Sequence, residues 1–187
     1  MQRRRFVQSA AALFPAAVID HALAAAATAG PEAHPLPPGP VLSGQDRLHE
    51  HHSLGFSTIA FKVLPRETAG NLFLIEHTHL RKGGGPPLHL HYAQEEYFYV
   101  MEGDFLFQVG DQRIALHPGD SILGPRKIPH TFTVTSETPG HMLIAFTPAG
   151  QMEGFFRAAE KPGVSLSDPA LFASHGCKLL GPPLSAS

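Results

Sequence analysis

Gly83-Gly84-Gly85-Pro86-Pro87-Leu88-His89-Leu90-His91-Tyr92-Ala93-Gln94-Glu95-Glu96-Tyr97-Phe98-Tyr99-Val100-Met101-Glu102-Gly103 is the stretch on which the reading of this chain turns. Residues two apart on a strand project to the same face, so His89 and His91 can present both imidazoles to one point. Glu96 opens the next strand, where a carboxylate can close on that point from a neighbouring backbone. His130, directly after Pro129 at the start of a later strand, can supply a third nitrogen. Glu95 is the rival carboxylate. Strand parity selects Glu96, which turns inward with Phe98 and Val100 while Glu95, Tyr97 and Tyr99 turn outward.

Around this stretch the chain breaks into short strand-like segments: 57–63, 71–79, 95–101, 105–109, 113–116, 121–123, 130–135 and 142–147. Several are rich in Phe, Tyr, Val, Ile and Thr, and they are punctuated by Gly103, Gly110-Asp111, Pro118-Gly119 and Pro139-Gly140. About eight short strands at such spacing predict an antiparallel sandwich or barrel. A chain of 187 residues, 43% hydrophobic and 16% charged, buries one core of ordinary size. Cys177 is its single cysteine, which excludes an intramolecular disulfide and a thiolate metal cluster. The formal charge of −2 gives no electrostatic footprint for nucleic acid.

The spacing of these residues resembles the cupin superfamily. Its first motif, G-x5-H-x-H-x4-E-x6-G, is matched by Gly83, His89, His91, Glu96 and Gly103, and the interval to Gly103 again selects Glu96 over Glu95. Its second, G-x5-P-x-G-x2-H-x3-N, is matched by Gly119, Pro125 and His130, with Lys127 where the motif has glycine and Val134 where it has asparagine. The resemblance, over roughly residues 55–150, implies an all-β fold: a single cupin barrel (double-stranded β-helix or jelly roll), here with a short helical C-terminal tail. It also implies that His89, His91, Glu96 and His130 hold one divalent transition metal. An N3O donor set suits Fe, Mn, Ni, Co, Cu or Zn and is a poor site for calcium.

Within the superfamily, residues 85–91, 124–132 and 146–150 look like single-domain cupins similar to quercetin 2,3-dioxygenase. That similarity implies a metal-dependent dioxygenase acting on a small enolic or aromatic, flavonol-like substrate. Glu96 would be both ligand and catalytic general base, and Phe98, Phe107, Phe132 and Phe146 are candidates for an apolar wall. Two other readings stand beside it. One is an exported binding or sensor module that holds a small ligand without turning it over. The other is a metal-dependent isomerase or lyase, which predicts more charged inward residues than can be assigned, since Arg126 and Lys127 fit an outer turn better.

Outside the barrel, residues 1–29 read as an export signal: Arg3-Arg4-Arg5-Phe6-Val7-Gln8, an alanine-rich apolar stretch, then Ala27-Thr28-Ala29. The arginine pair resembles the bacterial twin-arginine signal, and a periplasmic protein without stable membrane insertion is expected. Residues 30–54 read as a Pro/Gly-rich arm in which His49, His51 and His52 are solvated, and 151–187 as the helical tail. In that tail a helix is predicted over 152–159 and a second capped by Ser167 or Asp168, both packing outside the barrel. Glu76, His77 and His79 match no motif position and read as surface or rim residues, with one of them lining the pocket as the alternative. The expected partner is a small-molecule substrate or ligand. Edge strands and the arm leave room for a homodimer.

Overall fold

The computed structural model describes residues 39–186, so the segment read as an export signal lies outside the described residues. The strands are β1 (His52–Ser53), β2 (Thr58–Val63), β3 (Phe73–Leu80), β4 (Pro87–His91), β5 (Glu95–Glu102), β6 (Phe105–Val109), β7 (Gln112–Leu116), β8 (Ser121–Gly124), β9 (His130–Val134), β10 (Gly140–Thr147) and β11 (Cys177–Pro183). Two helices, α1 (Met152–Ala159) and α2 (Pro169–Ala173), precede β11. The strands form two antiparallel sheets, in the orders β1-β2-β3-β10-β5-β8 and β11-β4-β9-β6-β7. That arrangement is the jelly-roll barrel expected from the sequence.

Period-two alternation explains which face each strand turns inward. On β5, Glu96, Phe98 and Val100 are buried while Tyr97 and Tyr99 are exposed. On β10, Met142, Ile144 and Phe146 are buried, and they register against β5 through Phe146↔Glu96 and Ile144↔Phe98. Between the sheets the phenylalanines pack edge to face, with Phe61–Phe73 and Phe98–Phe107 centroids both 5.0 Å apart. Such contacts add specificity to the area they bury. Gly103, the last glycine of the first motif, has φ 78° and a Cβ there would meet Gly140 Cα at 3.0 Å. The β5–β6 turn therefore needs a residue without a side chain.

Three segments depart from the expectation. The histidines at 49–52 are not all solvated: His52 pairs through β1 with Ile59 of β2 and stacks on Phe61 at 4.1 Å, although His49 and His51 stay exposed. On β3, Glu76 and His77 are buried rather than on the surface. Parity sends His77 inward with Phe73 and Ile75, whereas Glu76 faces the other way and is covered by Lys62 and His141 at 2.9 and 2.8 Å. The tail, finally, is more than helical. α1 and α2 form where expected, with Asp168 Oδ1 accepting from Ala170 N at 2.9 Å and Pro169 opening α2. The chain then returns as β11 along β4, pairing Cys177 with His91 and Leu179 with His89. No helix among the described residues is long and apolar enough to cross a membrane.

Candidate metal centre

Strand pairing brings the four candidate side chains together. His89 and His91 share the inner face of β4, His130 lies directly opposite His89 on β9, and Glu96 reaches across from β5 of the other sheet. Glu96 Oε2 stands 3.0 Å from His91 Nε2, 2.9 Å from His130 Nε2 and 3.8 Å from His89 Nε2. One ligand atom from each of the four lies within 4.8 Å of the others, and all four residues are buried. Gly124, paired with Glu96, makes room for this packing, since a Cβ there would press on the His130 ring at 3.1 Å. Glu95 faces away and forms a two-pronged ion pair with Arg126.

The outer nitrogens determine what the inner ones can do. His89 Nδ1 lies 2.8 Å from Pro87 O, and His130 Nδ1 lies 2.9 Å from Ile128 O. A carbonyl only accepts, so both Nδ1 atoms carry the ring proton and, in a neutral ring, Nε2 presents a lone pair. His91 Nδ1 lies 3.3 Å from Cys177 Sγ, whose own S–H has His175 O at 3.6 Å as acceptor. The inner nitrogens of His89 and His130 and the Glu96 carboxylate are thus acceptors facing one another, with His91 Nε2 beside them. Such a set is stable only around a cation or an extra proton.

The electrostatics follow. Burial pushes the Glu96 carboxyl up, but the imidazoles packed around it, His130 first and then His89 and His91, outweigh it and hold the group well below the usual carboxylate range. Burial pulls His130 down, yet its hydrogen bond to Glu96 and that carboxylate's charge leave it raised. His89 is lowered, chiefly by burial. In the metal-free protein the extra proton therefore resides on the His130–Glu96 pair.

The cluster opens on a cavity of about 50 Å³ whose wall includes Phe132 and Phe146 but neither Phe98 nor Phe107, which stay in the core behind it. Met152, Phe155, Phe156 and Phe172 from the tail complete the wall, with Cys177 beside His91 and His77 on another side. From sequence, His77 was offered only as one of three alternatives for a pocket-lining residue, and none of the others was assigned to the site. For His77 the signal was present in the alternation Phe73-x-Ile75-x-His77. For the tail residues only an amphipathic face could be read, not where it docks.

A second group with ligand-like spacing, Asp46, Glu50 and His52, has its carboxylates and His52 Nδ1 paired within the chain, while His52 Nε2 has no hydrogen bond and stands 3.3 Å from Glu50 and 3.7 Å from Asp46. Asp46 accepts the Leu48 and Phe61 N–H groups at 2.7 and 2.6 Å, Glu50 pairs with Arg157 at 2.9 Å, and His52 Nδ1 meets Glu160 at 2.9 Å. It ties the segment before β1 to the barrel and α1.

Fold and site together define a β-barrel protein built around a buried histidine–carboxylate centre. Residues 76–146 match the family model described as Cupin domain, and the barrel around them has the cupin fold. It is 33% identical over 61 residues to an uncharacterized protein of Methanocaldococcus jannaschii, a match covering 33% of this chain and 49% of that protein. The chain thus spans about half the length of that curated relative. Among solved structures, KdgF from Halomonas sp. aligns with TM-score 0.51 at 16% identity, over 59% of this chain and 94% of that one. An RmlC-like cupin from Shewanella frigidimarina aligns with TM-score 0.52 at 21% identity, over 62% and 96%. These likenesses show the fold alone.

Proposed function

We propose that this chain is a metal-dependent dioxygenase for a compact, mostly apolar enolic substrate, with His89, His91, His130 and Glu96 as the ligands of one divalent transition metal. The observation that carries the reading is the convergence of four buried ligand atoms within 4.8 Å of one another. Carbonyls lock two rings so that their lone pairs point inward, and outer partners of this kind orient metal-ligating histidines generally. When bound, the ion supplies Lewis acidity toward an enol oxygen and the redox chemistry by which dioxygen reacts. Glu96 accepts the enol proton, and the apolar wall from Phe132 to Phe172 excludes water. No lysine or arginine lines the cavity among the described residues, which speaks against a sugar-phosphate or small-acid substrate.

The cavity bounds the substrate. About 50 Å³ admits a few waters at ~10–15 Å³ each, so a three-ring flavonol enters only if α1 and α2 move aside. One observation favours the second reading, a binding module that retains its ligand unchanged. A carboxylate held far below its ordinary range is a weak proton acceptor, and general bases work best with pKa near the working pH. Metal analysis of the purified protein tests the first step. About one transition-metal ion per chain is expected, with most of it lost in His91→Ala and retained in His117→Ala, whose histidine is exposed and paired with Asp104. Retention in the former would sink the ligand assignment. Dioxygen uptake with small enols then separates enzyme from binder.

A further inference from the structure

Of the three imidazoles at the centre, two are backed by a carbonyl and one by a thiol. Pro87 O and Ile128 O only accept, so they hold the ring protons of His89 and His130 on Nδ1. Behind His91 the partner is Cys177 Sγ, 3.3 Å from Nδ1. β11 places it there, because Cys177 pairs directly with His91 across the ladder between β4 and β11. The residue is 1% exposed, and a thiol buried in apolar surroundings keeps its proton. An S–H group both donates and accepts. This one also has a choice of acceptor, since His175 O lies 3.6 Å from the same sulfur.

That choice gives His91 two forms. In the first, the S–H donates to Nδ1, the ring proton sits on Nε2, and Nε2–H donates to Glu96 Oε2 at 3.0 Å. In the second, the S–H turns to His175 O, Nδ1–H donates to the sulfur, and Nε2 presents its lone pair to the centre. Between the two, the N–H bond at Nε2 breaks and one at Nδ1 forms, so the ring is neutral in both. Without an ion the first form wins. A lone pair on Nε2 would set two buried acceptors against each other across 3.0 Å, at a cost that burial makes large. Metal ligation requires the second form, because the ion takes the lone pair.

We infer that Cys177 is a positioning residue that lets His91 change tautomer. Its thiol donates to Nδ1 while the ring proton sits on Nε2, and it accepts from Nδ1–H once Nε2 is given to an ion. A carbonyl in its place would fix the second form for good and leave Nε2 and Glu96 opposed whenever no ion is bound. Alanine would give Nδ1 no partner in either form. The inference rests on the metal-centre reading.

The test uses the whole ¹⁵N-labelled protein with and without Zn²⁺. Long-range ¹H–¹⁵N spectra, with His91 assigned through His91→Ala, report which ring nitrogen carries the proton. In the metal-free protein His91 should carry it on Nε2 and His89 on Nδ1. With zinc bound, both should carry it on Nδ1. A metal-free His91 already protonated on Nδ1 overturns the inference and leaves the metal centre standing. Zinc affinity, measured by competition with a chelator, should fall about tenfold in Cys177→Ala, the scale for losing the outer partner of a ligand, and by less than about threefold in Cys177→Ser, which keeps a group that donates and accepts. Equal losses in the two variants, or none in Cys177→Ala, overturn it as well. A wild type that takes up no zinc overturns the metal-centre reading and the inference with it. The wild-type spectra decide the matter even if Cys177→Ala fails to fold.

Discussion

At the scale of single residues, the two motif departures have different outcomes. Val134, where the motif has asparagine, is fully buried in the core, so its position is packed rather than polar. Lys127, where the motif has glycine, takes φ 65° and donates its N–H to His91 O at 2.7 Å. The left-handed turn that glycine would make easily is kept by a residue that makes it at a cost. Lys127→Gly should relieve that strain, offset partly by the added freedom of the unfolded chain. The expected net gain is at most ~1 kcal/mol in denaturant unfolding, and a loss would mean that the lysine side chain contributes more than its backbone costs.

Glu96 is the other residue whose chemistry can be isolated. Glu96→Gln keeps an oxygen at the centre but removes basicity, so metal content should fall modestly while dioxygen uptake with small enols falls by ~100-fold or more, the range for losing a general base. Glu95→Gln serves as control because Glu95 pairs with Arg126 on the outside of the barrel. Equal losses in the two variants would contradict the parity by which Glu96 faces inward.

At the scale of elements, the tail converts an open barrel into a closed site. β11 lays Cys177 against His91, and α2 sets Phe172 5.5 Å from the His89 ring and 5.1 Å from Phe155 of α1. The helices are short, and α2 spans five residues, so packing rather than intrinsic propensity holds them. Phe172→Ala removes the ring that joins α2 to both α1 and the site. It should cost about 3–5 kcal/mol in equilibrium unfolding. Amide exchange should accelerate in α2 and β11 and remain slow in β5 and β10. Uniform acceleration across the barrel would show that the tail is not a separate layer.

At the scale of the whole molecule, metal binding, protonation and folding are linked. The proton that holds the metal-free centre together sits on the His130–Glu96 pair, because His130 is raised and Glu96 lowered. Below the ordinary imidazole value of about 6.5 the His130–Glu96 attraction stabilises the metal-free fold in full, and it is lost as pH rises through the higher folded-state value. Metal affinity runs the other way, since the ion must displace that proton. Calorimetric titration in buffers of different ionisation enthalpy should report about one proton released per ion near neutral pH. Affinity should weaken by up to tenfold per unit as pH falls. A heat independent of buffer would refute the protonated pair.

The strand alternation, the turn glycines and the spacing His89-x-His91 to Glu96 and His130 were all legible in the linear sequence, because each depends on period-two geometry or on a backbone conformation that one residue type favours. They were enough to expect the barrel, and four side chains with donor atoms for one centre. Other features belong to the tertiary structure: that His77 faces the cavity, that Cys177 partners His91, that Phe172 and Phe155 close the wall, and that His52 is buried. Each arises from contact between segments distant in the chain, such as 77 with 57, 91 with 177, and 52 with 160. A local pattern shows that an apolar face exists. Only the folded chain decides which surface covers it, because that choice is made by the packing of all the elements at once.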